Sequence, residues 1–354
     1  MDTALRAEVL DWIADDPDPI TAAALQKLLD ADDEKTLRTY FHGFLQFGTA
    51  GLRGPNGPGP SCMNRAVVGR TAAGIAQYMK KRGLRRVVIG RDARHGSYEY
   101  AMESAEIFSG AGCEVFLLPR ALPTPVLAYA TKALNADIGV MVTASHNPPA
   151  DNGYKVYVGP TTDGITYACS QIINPTDGFI ADEISAITSL ASQPRGSNWA
   201  MVGEEIIEEY ISRTASLATD PGSLSIVYTA MHGVGTETLS KVFKEAGFPD
   251  LILVSQQSEP DPDFPTVAFP NPEEPGAIDL ALDTAKAVSA DLVIANDPDA
   301  DRCAAAIKDR NGHWRMLRGD ELGVIFGEWI ARTAPTGTFG NSIVSSSILK
   351  KISA

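Results

Sequence analysis

Cysteine is scarce in this sequence of 354 residues and does not occur in pairs. Its members stand far apart along the chain, at Cys62, Cys113, Cys169 and Cys303. A structural zinc site or a disulfide framework would need cysteines at short, regular spacings. The scatter therefore predicts reduced thiols and no zinc centre built on cysteine.

Long apolar runs are also missing. No segment approaches the roughly 20 consecutive apolar residues of a transmembrane helix, and the first residues lack the basic and apolar regions of a signal peptide. These absences predict a cytoplasmic protein without a membrane partner.

Basic residues are outnumbered, with 30 Lys and Arg against 44 Asp and Glu and a net charge of −14. Neutralising a phosphate backbone takes a surplus of cations, so this balance argues against a nucleic-acid partner. Small anions are not excluded, because a few local cations or a bound metal can outweigh a distant field screened over about 8 Å in physiological salt.

What the chain does contain is a regular alternation of helical and strand-like patterns. Helices are predicted over 67–82, 97–110 and 124–134, and strands over 86–90, 114–118 and 138–143. The alternation resumes after a predicted helix at 204–217, and it is typical of doubly wound sheets. We predict an α/β protein of consecutive doubly wound domains with mixed sheets.

The same patterns predict the domain boundaries. Residues 1–44 form an N-terminal helical extension, 45–205 a first domain, 206–312 a second domain and 313–354 part of a third. The third unit would contain a strand at 314–317, a helix at 319–332 and a strand near 342–345. Because a βαβ unit requires a further strand after its helix, we expect the third domain to be incomplete.

The most informative loop reads TASHNPP at 143–149 and directly follows a short apolar strand. In open α/β sheets, ligands bind beyond the carboxyl ends of the strands, which is where Ser145 would be presented. Taken alone, the loop also fits a plain turn, because Ser and Asn side chains close turns locally.

A second loop, FGTAGLRGPNG at 47–57, surrounds Arg53 with glycines. Glycine permits tight turns and close backbone approach, so Arg53 can be offered to an anion. An ordinary turn with a solvated arginine fits equally well. The loop does not match the nucleoside triphosphate P-loop, which ends in Gly-Lys-Ser or Gly-Lys-Thr.

Carboxylates alternate in NDPDADR at 296–302, at Asp297, Asp299 and Asp301. Such a loop can supply oxygen ligands to a hard cation, and Mg²⁺ fits because it binds few carboxylates and keeps positions for phosphate or water. A calcium loop is excluded, since Arg302 stands where Gly is required and Lys308 where Glu is required. A solvated acidic turn is the alternative.

Two further segments are interpreted as structural. HGVG at 232–235 lacks the third glycine of a dinucleotide fingerprint and is taken as a turn before a helix. The proline-rich segment at 263–276 is predicted to be extended, because proline excludes helix and removes backbone donors.

Together, TASHNP at 143–148, DPDADR at 297–302 and FGTAGLRG at 47–54 resemble the α-D-phosphohexomutase family, which includes phosphoglucomutases and phosphomannomutases. The resemblance extends from about residue 45 to the C-terminus. NPEEP at 271–275 and YTAMHGVG at 228–235 are most similar to the branch that contains phosphoglucomutases and phosphopentomutases.

The resemblance implies an intramolecular phosphotransferase of carbohydrate metabolism. Such an enzyme moves phosphate between C1 and C6 of a hexose, or between C1 and C5 of a pentose, through a bisphosphorylated sugar. Ser145 would be the residue that carries the phosphoryl group. Mg²⁺ would be held by Ser145 together with Asp297, Asp299 and Asp301.

The resemblance assigns four more roles. His146 and Lys155 would assist proton transfer at the sugar hydroxyl, and Arg53 and Arg302 would contact phosphate oxygens. Phosphoryl transfer depends mainly on positioning and on neutralising charge, which such residues can supply.

The family pattern also includes a sugar-specificity loop in a third domain and a phosphate anchor in a fourth, for which this sequence offers no segment. We therefore expect weak or no turnover from the chain by itself. Two other interpretations remain open: hydrolysis of a phosphoserine by water, and a non-catalytic module that binds Mg²⁺ and a sugar phosphate.

Overall fold

The computed structural model describes residues 1–334, 336, 338–342 and 345–352. It confirms the predicted α/β architecture, with two large mixed sheets and a small hairpin. Positions 343 and 344 of the strand predicted near 342–345 lie outside the described residues. Within the described part of the chain, no helix is both long and apolar enough to cross a bilayer.

The chain begins with three short helices, α1 (Thr3–Asp15), α2 (Pro19–Asp30) and α3 (Glu34–Tyr40). Each follows an aspartate whose side chain accepts a hydrogen bond from a backbone N–H of the first turn, which satisfies an otherwise free helix donor. Their buried side chains belong to the same apolar core as the first sheet, so this N-terminal segment packs directly on it.

Six strands form the first sheet. In chain order they are β1 (Leu52–Pro55), β2 (Arg86–Arg91), β3 (Glu114–Leu117), β4 (Ile138–Val142), β5 (Asp151–Val158) and β8 (Trp199–Met201), while β6 (Thr161–Thr162) and β7 (Ile165–Thr166) form the hairpin. Across the sheet the order is β1–β5–β4–β2–β3–β8. The strands β4, β2, β3 and β8 run parallel, whereas β5 is antiparallel to both β1 and β4. The carboxyl ends of β2 and β4 therefore open at one edge.

Helices cover both faces of this sheet. They are α4 (Arg65–Lys81), α5 (Ser97–Gly110), α6 (Thr124–Ala133), α7 (Thr176–Ser185) and α8 (Glu204–Ala215). Successive residues of a strand face opposite sides. Accordingly Val87 and Ile89 join a core with α4 and α5, whereas Val88 joins a second core with α6 and α8.

The second sheet is smaller and also mixed. Its elements are β9 (Ile226–Thr229), α9 (Gly235–Glu245), β10 (Ile252–Leu253), α10 (Asp279–Ala287), β11 (Leu292–Asn296), β12 (Cys303–Lys308) and β13 (Trp314–Met316), followed by α11 (Gly319–Thr333) and α12 (Ile348–Ile352). The strand order is β10–β9–β11–β12–β13, with β12 antiparallel to both of its neighbours.

Several strands differ from the sequence prediction. The sequence patterns predict no strand at β1, β5, β8 or β12, and they assign β13 to the third unit although it pairs with β12 at the edge of the second sheet. The strand β5 begins with polar Asp151 and Asn152, and it is buried because it lies between β1 and β4. The strand β12 is rich in alanine, which has little strand preference of its own.

The two sheets meet where β4 and β11 end. The first of these strands leads into the loop of Ser145 and the second into the loop of Asp297. The backbone N–H of Thr124, at the start of α6, donates to the carbonyl oxygen of Asp299 at 2.9 Å. Val242 of α9 also packs into the core beneath α6. These contacts hold the two loops face to face.

Candidate active site

Ser145 lies in the turn between β4 and β5, and it is fully buried. Its backbone has a φ of 53°, in the left-handed region that residues with a Cβ rarely occupy. The backbone N–H of Ser145 donates to Oγ1 of Thr143 at 2.9 Å. Backbone strain of this kind persists only where the surroundings impose it, and it is frequent at functional sites.

Arg94 imposes the shape of this turn. Its Nη2 donates to the carbonyl oxygens of Ser145 and Asn147 at 2.7 and 2.6 Å, and its Nη1 to those of Pro148 and Asp151 at 2.8 and 3.2 Å. The side chain is almost completely buried. One guanidinium group thus satisfies four carbonyl oxygens, which no shorter or more flexible cation could do.

The Ser145 hydroxyl reaches across to the second sheet. It donates to Oδ2 of Asp297 over 2.6 Å, although the two residues are 152 positions apart in the sequence. The other oxygen of Asp297 accepts the backbone N–H of Arg302 at 3.1 Å. The structure therefore brings together the two loops that the family resemblance implies form one site.

Lys155 projects from β5 into the same cluster. Its ammonium donates to Oδ2 of Asp299 at 2.6 Å and to Oδ2 of Asp301 at 2.5 Å, and its side chain is only 4% exposed. Burial alone would lower the pKa of Lys155, but the two carboxylates outweigh burial and raise it, so the lysine stays charged. Burial alone would raise the pKa of Asp299, and Lys155 reverses the direction.

One lysine does not neutralise three carboxylates. Oxygens of Asp297, Asp299 and Asp301 lie within 4.8 Å of one another. Burial, with added repulsion from Asp299 and Asp301, raises the pKa of Asp297 to about 8. Among the described residues, Oδ1 of Asp299 is buried without a hydrogen-bond partner. A hard cation would supply the missing charge and bind that oxygen, so the three residues fit a metal site.

His146 stands beside the Ser145 hydroxyl, with Nδ1 at 3.2 Å from Oγ. Burial lowers the pKa of His146 to about 4, and the positive charges of Arg302 and Arg53 add to the effect. The imidazole is therefore neutral near pH 7 and can accept a proton from a neighbouring hydroxyl.

The two predicted arginines lie at different depths. Arg53, on β1, donates from Nη1 to Oδ1 of Asn147 at 3.3 Å, and its Nε has no partner within the described part of the chain. Arg302 has a half-exposed side chain whose Nε lies 3.9 Å from Oδ1 of Asp301. Arg53 thus lies beside the turn of Ser145, and Arg302 at the outer rim.

Sequence reasoning missed two residues of this site. Thr124 donates from Oγ1 to Oδ2 of Asp299 at 2.5 Å, and nothing in its local sequence indicates that contact. Arg94 stands out in the sequence only as a cation in a loop after a strand. The parallel pairing of β2 with β4 places that loop beside the turn of Ser145. Neither segment indicates by its own sequence which strand it pairs with.

Comparison with known families gives two matches along the chain. The family model described as phosphoglucomutase/phosphomannomutase, alpha/beta/alpha domain I, matches residues 45–172. The corresponding alpha/beta/alpha domain II matches residues 207–312. The first match contains the loop of Ser145, and the second contains the acidic loop of Asp297.

Individual proteins agree with these matches. A "Probable phosphomannomutase" of Haemophilus influenzae is 47% identical over 296 residues, which cover 82% of this chain and 60% of that protein. The phosphopentomutase of Mus musculus is 35% identical over 348 residues, 93% of this chain and 56% of its own length. The chain thus spans less than two thirds of the length of these curated relatives.

Among solved structures, a phosphoglucomutase/phosphomannomutase family protein from Burkholderia thailandensis has a TM-score of 0.67 with 24% identity. The match covers 81% of this chain and 59% of that one, and at this identity it shows a shared fold alone. The sequence matches and the shared fold lead to one conclusion: the chain belongs to the phosphoglucomutase/phosphomannomutase family.

Proposed function

We propose that this site transfers a phosphoryl group between Ser145 and a sugar phosphate. The phosphate would move between C1 and C6 of a hexose, or between C1 and C5 of a pentose, through a bisphosphorylated sugar. The 2.6 Å contact between the Ser145 hydroxyl and Asp297, in a carboxylate cluster whose members Asp297 and Asp299 are buried, carries the proposal. A serine that remained a plain hydroxyl would have no need of a cation-binding cluster at this distance.

We infer that the cation is Mg²⁺, with Ser145, Asp297, Asp299 and Asp301 as the residues that would hold it. When bound, Mg²⁺ would neutralise charge on the phosphoryl oxygens and make the group more easily attacked. An all-oxygen donor set with few carboxylates suits this ion. Without a cation, a phosphoserine of charge about −1.5 to −2 would be repelled by the same carboxylates.

Proton movement is assigned to His146 and Lys155. When a sugar hydroxyl attacks the phosphorus, its O–P bond forms, the bond from phosphorus to Ser145 Oγ breaks, the hydroxyl proton passes to a base, and the leaving Oγ takes up a proton to restore the serine hydroxyl. Neutral His146, at 3.2 Å from Oγ, is placed to take or return such a proton. Charged Lys155 can donate a hydrogen bond or a proton, but it cannot act as the base while it is paired with two carboxylates.

Arg53 and Arg302 are proposed to contact phosphate oxygens. The Nε of Arg53 has no partner within the described residues, and it lies on the strand next to the turn of Ser145. Arg302 follows the acidic loop and keeps its side chain half exposed. A guanidinium with free donors can bind two oxygens of one phosphate at once. One arginine beside the turn of Ser145 and one beside the acidic loop would therefore orient the transferred group.

The proposal is tested by intact-mass measurement after incubation with glucose 1,6-bisphosphate and Mg²⁺. We expect one added phosphate that maps to Ser145. The Ser145→Ala variant should take up none, and Ser170→Ala, which changes an exposed serine of the same domain, should behave like the wild type. Uptake that persists in Ser145→Ala would refute the proposal.

The sugar is decided by a second measurement, interconversion assays with hexose and pentose monophosphates. The names of the relatives include both a phosphomannomutase and a phosphopentomutase, so both classes are tested. Release of inorganic phosphate without isomer formation would indicate hydrolysis of the phosphoserine instead. Sugar-phosphate binding that survives Ser145→Ala, without any phosphate on the wild type, would indicate a binding module.

A further inference from the structure

The proline-rich segment at 263–276 forms a loop that reaches from the second sheet onto the turn of Ser145. The ring of Phe264 is buried, and its centroid lies 4.9 Å from Cζ of Arg94. The ring of Phe269 stands edge-on to that of His146, with centroids 6.0 Å apart and an angle of 77° between the planes. One loop of the second domain thus contacts residues of the first domain on two sides of Ser145.

The loop is held in place by residues of its own domain. The hydroxyl of Thr266 is hydrogen-bonded at 2.8 Å to Nε2 of His232 and at 2.8 Å to Nε2 of Gln257. Val267 is buried in a small apolar cluster beneath it. Prolines further reduce the conformations available to the loop. The HGVG turn at 232–235, interpreted from sequence as structural, therefore helps to fix the loop that carries Phe264.

Arg94 connects the anchored loop to Ser145, because it contacts both the Phe264 ring and the carbonyl oxygen of Ser145. Its two terminal nitrogens are fully used by four carbonyl oxygens of the turn, which hold Ser145 in its left-handed conformation. The ring of Phe264 covers one face of the guanidinium and interacts favourably with the cation.

We propose that Phe264 is a positioning residue that acts through Arg94 and couples docking of the second domain to the reactive conformation of Ser145. The proposal rests on the proposed function of Ser145. The carboxylates that approach the Ser145 hydroxyl come from the same second domain, so one docking event supplies both the acidic loop and the ring that stabilises the turn. Undocking would release the two together.

The test compares Phe264→Leu, which keeps apolar volume but removes the aromatic face, with the wild type. Hydrogen exchange of the backbone amides of 143–153 should accelerate on the order of tenfold. The rate of phosphate uptake on Ser145 should fall by about the same factor with an unchanged KM for the sugar bisphosphate. Phe264→Met serves in its place if the leucine variant does not fold.

A matched control lies in the same loop. Asp263 contacts His95 across the same domain boundary at 2.7 Å, but both side chains are exposed. Exposed pairs of this kind contribute little, so Asp263→Asn should leave exchange and uptake within about twofold of the wild type.

A double-mutant cycle separates positioning from general packing. Arg94→Lys keeps the charge but cannot span four carbonyls, so it should loosen the turn by itself. If Phe264 acts through Arg94, adding Phe264→Leu to Arg94→Lys should produce no further acceleration of exchange. The proposal would be overturned if the two substitutions accelerated exchange by factors that multiply in the double variant. It would also be overturned if exchange in Phe264→Leu stayed within about twofold of the wild-type rate. A wild type that takes up no phosphate would refute the function of Ser145, while the exchange measurements would still decide the role of Phe264.

Discussion

Asp15 and Asp297 both carry carboxyl groups that are largely shielded from solvent, and the two differ in the groups that surround them. Asp15, at the end of α1, accepts hydrogen bonds from Ser189 Oγ and from the backbone N–H groups of Leu190 and Ala191, each at 2.8 Å, and pairs with Arg70 at 2.6 Å. Burial alone would raise its pKa, but these donors outweigh burial and lower it. Its ionised form is the one that the fold stabilises.

Asp297 meets the opposite situation. Burial and two neighbouring carboxylates raise its pKa to about 8, and its neighbour Asp299 has an oxygen without a partner in the described structure. Hydrogen bonds of the fold satisfy the carboxylate of Asp15, whereas the cluster around Asp297 contains an unsatisfied oxygen that a bound cation would satisfy. The comparison separates a carboxylate satisfied by packing from a set of carboxylates that we propose to act in chemistry.

The largest expected difference is in activity. Asp297→Asn should slow phosphate uptake on Ser145 by at least about 100-fold, because the variant would weaken binding of the cation that we propose neutralises the transferred group. Asp15→Asn should leave the rate within about twofold, since Asp15 lies in the N-terminal segment away from the acidic loop. Initial rates from intact-mass time courses measure both. Equal losses would mean that the acidic loop has no special role.

Metal dependence of stability should differ in the same way. With Mg²⁺ at about 100 times its dissociation constant, the wild type should gain about 2.7 kcal/mol in the free energy of unfolding. In chelator near pH 7, Asp297→Asn should be more stable than the wild type, on the order of 1 kcal/mol, because the folded chain must protonate a carboxyl that the unfolded chain keeps ionised, and the amide removes that cost. The amide can still accept from the Arg302 N–H and can donate to the Ser145 hydroxyl.

Denaturant titrations with and without Mg²⁺ give these values. Asp15→Asn, in contrast, should be less stable in both solutions and should respond to Mg²⁺ like the wild type. A variant at Asp297 that lost stability in chelator and kept the full response to Mg²⁺ would contradict the proposed metal site.

Sequence reasoning identified the two candidate loops because each is a local motif after an apolar strand. Only the family resemblance placed Ser145 and the three aspartates in one site, and the local patterns did not indicate the other contacts between the loops. Lys155 contacts Asp299 and Asp301 because β5 runs antiparallel along β4. The sequence pattern does not predict β5 as a strand because it begins with polar residues. The contacts of Arg94 and of Thr124 also join segments distant in sequence. Strand order and domain docking, which create these contacts, arise only from the packed chain.

The packing role of Asp15 predicts a smaller effect, on stability. Asp15→Asn should lower the free energy of unfolding by about 2 kcal/mol, because hydrogen bonds to a charged acceptor are replaced by weaker ones. Limited proteolysis should then cut between α1 and the first sheet sooner than in the wild type. Asp11→Asn, at an exposed position of the same helix, is the control and should change neither result. If both variants unfold like the wild type, the contacts of Asp15 do not fasten the N-terminal helices.

The smallest expected effect is the pH dependence of that contribution. Because the folded pKa of Asp15 is lowered, the unfolded chain, with a carboxyl pKa of about 3.9, binds more protons there than the folded one. The stability supplied by Asp15 is therefore fully present above that pH and is lost as pH falls through the folded pKa. The difference in unfolding free energy between the wild type and Asp15→Asn should stay constant down to about pH 5 and shrink towards about pH 3. A difference that grew on acidification would mean that Asp15 is held protonated, like Asp297, and would remove the contrast between the two carboxylates.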